Sequence, residues 1–475
     1  MNRAQSSLGA GWDAWRARRY DQNKIASIQS SRLHEMVAFA RAYSPYYREL
    51  YSGLPSEIRD LRELPPVTKL GLMACFEDWV TDPAITRTGV EAFVADKTLV
   101  GTPYLGRYFL CTTSGTTGVP GIFLHDSRAT AIYRALMLVR GYLAGTTPRR
   151  LRSTMLAGLR VAVLVATGDH FAGFGWLQRV NFNRNRFAMY RFGAFSVMSP
   201  VEDLVKALNR FRPTAVVGYP TAAFVLAREQ AAGRLRIGPA LVVTSGEWLS
   251  PVARREIKQA FGCTIRNAYG ASECLPIAYD CRCERLHLNS DWVVLEPVDE
   301  AFRAVEPGQP SKTALLTNLM NNVQPIIRYD LGDSITLDPN PCPCGSTPPV
   351  IRVEGRQDEI LYFRAEDRRP VPVLPMAIAA VVEETSGVYR YQIVQSTPAT
   401  VKVRLEATAG TETTAVWRVV SANLRSYLAA QGLPWVAVER AKEPPQSDPA
   451  SGKFRQVWAE RGFPRYASDT NSIDN

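Results

Sequence analysis

The chain predicts an α/β protein with a large N-terminal domain and a small α+β C-terminal one, and three features carry that prediction. Short apolar runs alternate with helical stretches through the middle of the 475 residues, brief strands and Pro/Gly turns take over after Glu284, and strands mix with a long helix after residue 358. Strands separated by helices of this length build a mostly parallel sheet covered on both faces.

Over 30–50, Leu33, Met36, Val37, Ala40 and Tyr43 recur at helical spacing until Pro45, which predicts an amphipathic helix. Leu64-Pro65-Pro66-Val67-Thr68-Lys69 is a stiff connection into a second helix through Phe76-Glu77-Asp78-Trp79. Tyr108-Phe109-Leu110-Cys111 is short, apolar and β-prone, so it predicts a buried strand. A helix over 127–143, a strand over 160–166 and a glycine-aromatic segment carrying Phe171, Phe174 and Trp176 come next. The alternation continues with a helix over 201–211, a strand over 214–218, a helix over 221–232 and a strand over 240–244.

Ligands of such sheets bind beyond the carboxyl ends of strands. That rule singles out Tyr219, then Ser245-Gly246-Glu247, then Tyr269-Gly270-Ala271-Ser272-Glu273. Strands near 292–295, 314–317 and 326–329 predict a β subdomain. Gly355-Arg356-Gln357-Asp358 reads as a boundary between an N-terminal core over 1–354 and a C-terminal domain over 359–475, the latter with strands over 391–394 and 401–405 and a helix over 414–430.

Composition narrows the function. Hydrophobic residues at 46% and charged residues at 21% are ordinary for a folded globular chain. The formal charge of +11 is spread over scattered Lys and Arg with no recognition motif, which points to anionic small molecules and away from nucleic acid. No apolar run reaches the roughly 18 to 20 residues of a membrane span, and residues 1–8 hold no apolar signal core, so a cytoplasmic protein without a membrane partner is expected. A homodimer stays open.

The stretch Thr112-Thr113-Ser114-Gly115-Thr116-Thr117-Gly118-Val119-Pro120-Gly121 interleaves hydroxyls with glycines, so its backbone can bend while N–H and O–H donors converge on one concavity suited to phosphate. No Gly-Lys-Ser/Thr ends it, so it is not a Walker A loop. Cys281-Arg282-Cys283 and Cys342-Pro343-Cys344 offer four thiolates, with His287 nearby in sequence, enough for one tetrahedral Zn²⁺; reduced, metal-free thiols are the competing reading.

Five stretches stand in one order: the 112–121 loop, the Tyr269 to Glu273 segment, Arg328-Tyr329-Asp330-Leu331-Gly332-Asp333, Gly355-Arg356-Gln357-Asp358-Glu359, and Ser451-Gly452-Lys453-Phe454-Arg455. The series resembles the adenylate-forming superfamily of acyl-CoA synthetases, and within it the phenylacetate-CoA ligase-like branch, which the 33–47 segment and Cys342-Pro343-Cys344-Gly345 resemble in particular. The resemblance implies a large adenylate-forming domain with a small mobile lid hinged at Asp358. It implies that a carboxylate attacks the α-phosphorus of ATP to give acyl-AMP, with CoA as the following acceptor.

On this resemblance Thr113, Ser114, Thr116 and Thr117, with Gly115 and Gly118, hold the β- and γ-phosphates, and Glu273 holds Mg²⁺. Tyr269 and Gly270 lie against adenine with Gly246 and Glu247 nearby, Asp333 accepts from the ribose hydroxyls, and Arg356 contacts ribose or phosphate. Lys453 neutralises the adenylation transition state. Phe171, Phe174, Tyr219 and Ser245 line the acid pocket, and aromatic groups there, with Trp176 and Trp248, favour a flat apolar acid. The segment after the hinge departs from CoA-forming relatives: Ile360-Leu361-Tyr362-Phe363 runs into Arg364-Ala365-Glu366 with no Gly to admit pantetheine. That departure leaves open an adenylating ligase with an amine or other acceptor, and a nucleotide-binding protein without catalysis.

Overall fold

The computed structural model describes residues 7–17, 19–55, 58, 60–113, 121–144, 158–166, 190–354, 359–366, 369–446 and 455–460. The chain divides into two compact units, the first made of 1–114, 119–196 and 205–355 and the second of 115–118, 197–204 and 356–475.

A nine-stranded sheet runs through the first unit. Its order is Ser334–Leu337, Val350–Glu354, Leu286–Leu288, Cys274–Asp280, Thr264–Ala271, Leu241–Thr244, Ala215–Gly218, Leu159–Val165 and Tyr190–Ser196. The last five of these pair in parallel, as their short apolar runs predict, and the helices Pro220–Ala231 and Pro251–Phe261 make two of the crossovers. The other four pairings are antiparallel, so the sheet is mixed where a mostly parallel one was expected. The reversal occurs at a tight turn after Ala271, which the strand rule had placed as an open loop beyond a strand end.

A second, three-stranded antiparallel sheet, Val293–Val298, Thr313–Asn318 and Ile326–Asp330, matches the expected β subdomain. Strands Phe109–Thr113 and Gly121–His125 form a separate hairpin, whose inner residues are buried in the main core with Trp79, Trp292 and Tyr329.

Two helices differ from expectation for local reasons. The first segment is Gln22–Tyr43 followed by Pro45–Leu50: Ser44 caps the second piece and Pro45, which cannot donate to a preceding turn, occupies its first position. The helix expected over 127–143 is α-helical only over Ser127–Leu136 and π-helical over Met137–Tyr142. Gly141 in that π turn packs so closely on Tyr279 that a Cβ would sit 2.9 Å from its ring.

In the second unit Ala437–Arg440, Thr400–Ala407, Val388–Thr397 and Val457–Ala459 form a four-stranded sheet, accompanied by helices Pro375–Glu383 and Thr413–Ala430. Leu361–Arg364 pairs with Pro370–Val373 as a hairpin, so the glycine-free segment after 358 is built as a regular strand. No helix among the described residues is long and apolar enough to cross a membrane.

Candidate active site

Of the phosphate-loop residues, Thr112, Thr113 and Gly121 are described and belong to the hairpin strands; Ser114, Gly115, Thr116, Thr117 and Gly118 lie outside the described residues, as do Phe171, Phe174, Trp176, Arg356, Asp358 and Lys453. Thr113 closes the strand register opposite Gly121, whose N–H donates to its Oγ1 at 3.1 Å. A Cβ on Gly121 would fall 2.7 Å from that same oxygen, so this closing pair needs glycine.

Tyr269, Glu273 and Asp333, predicted from two separate motifs, come together in the first unit. The Tyr269 hydroxyl donates to Asp333 Oδ2 at 2.7 Å. Burial, with the Asp333 charge beside it, lifts the Tyr269 phenol well above its ordinary value, so it stays a donor at any physiological pH. Asp333 is delivered by a turn in which Gly332 takes φ of 74° and its N–H donates to Asp330 and to Thr313 Oγ1, both at 3.0 Å.

Gly270 has a geometric duty. Strand Thr264–Ala271 shifts register against Cys274–Asp280 between Tyr269 and Ala271, and a Cβ on Gly270 would lie 1.9 Å from the Leu275 carbonyl oxygen. The bulge turns the chain sharply, and Glu273 follows two residues after the strand ends.

Glu273 is 7% exposed, and its Oε1 accepts from the Tyr329 hydroxyl at 2.7 Å. Burial raises its carboxyl above the ordinary glutamate value, with Asp333 adding to the rise, while the Tyr329 hydrogen bond and the Lys69 charge act in the opposite direction.

Tyr329 and Lys69 are the residues the sequence reading left without a role. Arg328 adopts φ of 49°, strand Thr313–Asn318 carries an irregularity opposite it, and the Arg328 N–H donates to Thr317 Oγ1 at 3.0 Å. That distortion re-aims the next side chain, Tyr329, at Glu273. Val67 then adds a bridge alongside Tyr329, with Val67 N–H donating to Arg328 O at 3.0 Å, which brings Lys69 into electrostatic range of Glu273. A cation at the first position of helix Lys69–Ala74, where the helix dipole disfavours one, was the available sequence clue.

Around the strand ends, Gly246 takes φ of 85° and packs on Tyr219, whose ring carbon would be 3.2 Å from a Cβ. Glu247 caps the helix Pro220–Ala231 instead of standing open: Thr221 N–H and Oγ1 donate to its Oε2 at 3.0 and 2.7 Å. Ser245 N–H donates to Gly218 O at 3.1 Å, and Trp248 is 48% exposed.

A second cluster lies in the same unit. One donor atom from each of Cys281, His287, Cys342 and Cys344 falls within 4.8 Å of the others. Cys283, expected in this set, is not in it: the residue is exposed, and its backbone N–H donates to Cys281 Sγ at 3.3 Å. His287 takes its place because strand Leu286–Leu288 runs between Cys274–Asp280 and Val350–Glu354 and carries the ring to the cysteines. His287 Nδ1–H donates to Pro348 O at 2.8 Å, which leaves the Nε2 lone pair directed at the cluster, 3.4 Å from Cys344 Sγ. Burial lowers the imidazole's value, keeping it neutral as a ligand must be, and pushes Cys342 up to about 12. Three sulfurs and one imidazole nitrogen at this spacing fit a closed tetrahedral site.

The family model described as AMP-binding enzyme matches residues 107–307, a span that holds the hairpin, Tyr269 and Glu273. That match, like the relatives that follow, is to adenylate-forming enzymes. The chain is 23% identical over 388 residues to the phenylacetate-coenzyme A ligase of Thermus thermophilus, covering 78% of each chain. Protein CapK of Staphylococcus aureus is 21% identical over 356 residues, 72% of this chain and 70% of that one. The fold is that of a 2-hydroxyisobutyryl-CoA ligase solved with 2-HIB-AMP and CoA, with a TM-score of 0.58 at 21% identity over 93% of this chain and 91% of the other.

Proposed function

We propose that this protein is an AMP-forming carboxylate ligase of the phenylacetate-CoA ligase-like branch. It activates a carboxylic acid with ATP as acyl-AMP, releases pyrophosphate and passes the acyl group to CoA. The observation that carries the reading is the meeting of Tyr269 and the dry carboxylate of Glu273, both within the span that matches the AMP-binding family, with Asp333 and Tyr329 from beyond it. Asp333 has the chemistry to accept from ribose hydroxyls, and Tyr269, whose hydroxyl orients Asp333, offers its ring to adenine with Gly270 beside it.

Glu273 would hold Mg²⁺, which screens the triphosphate from the incoming carboxylate. The hydroxyls and amides of Thr113, Ser114, Thr116 and Thr117, with Gly115 and Gly118, would bind the terminal phosphates, as Arg356 would the ribose or α-phosphate. Lys453 supplies the charge that neutralises the transition state, and Asp358 is the pivot between the core over 1–354 and the domain over 359–475. Tyr219, Ser245, Phe171 and Phe174 would line the acid pocket, and their aromatic side chains favour an aromatic acid. Gly246 sets the Tyr219 wall, and Glu247 stiffens the helix behind it.

Cys281, His287, Cys342 and Cys344 would hold a structural Zn²⁺ that ties the turn after Asp280 to the 342–346 loop. A cytoplasmic setting agrees with reduced thiols, and a homodimer is the assembly to test by light scattering. Incubation with ATP and a panel of arylacetic, benzoic and short aliphatic acids, with AMP scored with and without CoA, tests the reading. CoA-stimulated AMP release supports it. AMP release that CoA leaves unchanged assigns the acceptor to an amine or another group, and the absence of AMP with every acid refutes catalysis.

A further inference from the structure

His125 is fully buried at the end of strand Gly121–His125, and its ring stacks on Phe109 with centroids 5.8 Å apart. Nothing in the chemistry of adenylation calls for an imidazole here, yet both ring nitrogens are engaged. Nε2 lies 2.9 Å from the carbonyl oxygen of Ser272, which can only accept, so Nε2 carries the hydrogen. Nδ1 then accepts from the Tyr133 hydroxyl at 3.1 Å. That hydroxyl accepts from Asn318 Nδ2 at 3.0 Å, and the same Nδ2 donates to the carbonyl oxygen of Glu273 at 3.0 Å.

The result is a closed circuit. Both carbonyls of the two-residue turn 272–273 are gripped by one buried network drawn from the phosphate-loop hairpin, helix Ser127–Leu136 and strand Thr313–Asn318. The Glu273 side chain is separately gripped by Tyr329. A carboxylate that presents an oxygen to a metal must be fixed at its backbone as well as at its tip, and partners of this kind govern metal affinity almost as strongly as the ligand itself.

We propose that His125 is a positioning residue: through the Ser272 carbonyl, and through Tyr133 and Asn318 to the Glu273 carbonyl, it sets the Glu273 turn in register with the hairpin that bears the phosphate loop. The inference rests on the reading of Glu273 as the metal carboxylate. It makes the hairpin Phe109–Thr113/Gly121–His125 and the Glu273 turn one mechanical piece. Tyr133→Phe is the cleanest cut, since it deletes the hydroxyl that joins His125 to Asn318 and keeps the ring.

The test uses the full chain and Mn²⁺ as the metal probe. Free Mn²⁺ is titrated by electron paramagnetic resonance in the presence of a non-hydrolysable ATP analogue, alongside thermal melts, for wild type, Tyr133→Phe, His125→Leu, His125→Gln and Glu273→Gln. Tyr133→Phe and His125→Leu are expected to weaken Mn²⁺ binding by about 10-fold or more. His125→Gln, whose amide N–H can still reach the Ser272 carbonyl, recovers part of that loss. Melting temperatures that fall with Mn²⁺ affinity unchanged in Tyr133→Phe, while Glu273→Gln loses affinity, overturn the positioning role alone. Unchanged affinity in Glu273→Gln as well overturns the metal assignment and the positioning role with it.

Discussion

Replacing Glu273 with Gln changes one buried oxygen into an amide nitrogen and leaves the volume and the Tyr329 hydrogen bond to Oε1 in place. The substitution therefore separates charge from shape. Mg²⁺ is held by one or two protein carboxylates, so losing this one removes half or all of the protein's ligand charge, and pyrophosphate exchange should fall by about 10²- to 10³-fold, or roughly 3–4 kcal/mol of transition-state stabilisation. Stability should move the other way. Burial raises the Glu273 pKa above its unfolded value, so its contribution to stability is fully present below the ordinary glutamate range and is lost as pH rises through the raised folded value. The amide has no such loss. At neutral pH the Gln variant should thus melt no lower than wild type, and the difference between them should grow across that window and then level off. The assay is a pH series of thermal melts paired with pyrophosphate–ATP exchange at saturating Mg²⁺. A variant that melts markedly lower at neutral pH, or that keeps full exchange, refutes the reasoning.

Tyr329→Phe removes the hydrogen bond that holds Glu273 towards its charged form, so the acid limb of the exchange rate should shift to higher pH, with a stability loss of roughly 1–2 kcal/mol read by urea unfolding. Gly270→Ala forces a Cβ onto the Leu275 carbonyl and should cost about 3 kcal/mol or more, seen as loss of soluble, cooperatively melting protein. Purified protein should carry one zinc per chain by metal analysis; His287→Ala should lose it and lower the melting temperature, while Cys283→Ser should retain it.

The parallel half of the large sheet was legible because strands buried on both faces read as unbroken apolar runs, as in 161–165 and 241–243. The antiparallel half was not, because the reversal after Ala271 depends on a bulge and a glycine contact with Leu275, a neighbour fixed only by tertiary pairing. Glu273 and Asp333 were legible from short motifs whose spacing survives in one dimension. Tyr329, one residue of such a motif, was visible but without a role until the left-handed Arg328 before it showed where the hydroxyl points. His287 was placed beside the cysteines only by strand order, so counting thiols alone chose Cys283 instead. His125, one of four histidines, reads in sequence as the polar end of an apolar strand; its partners lie 8 and 147 residues away, beyond any local pattern.

Adenylation of an acid requires a carboxylate oxygen to attack the α-phosphorus of ATP. Single turnover of the accepted acid labelled with ¹⁸O in its carboxyl group, with mass analysis of the nucleotide released, tests that most directly. One ¹⁸O atom in AMP is the predicted result. Unlabelled AMP, or label recovered in inorganic phosphate with ADP as the nucleotide, would contradict it.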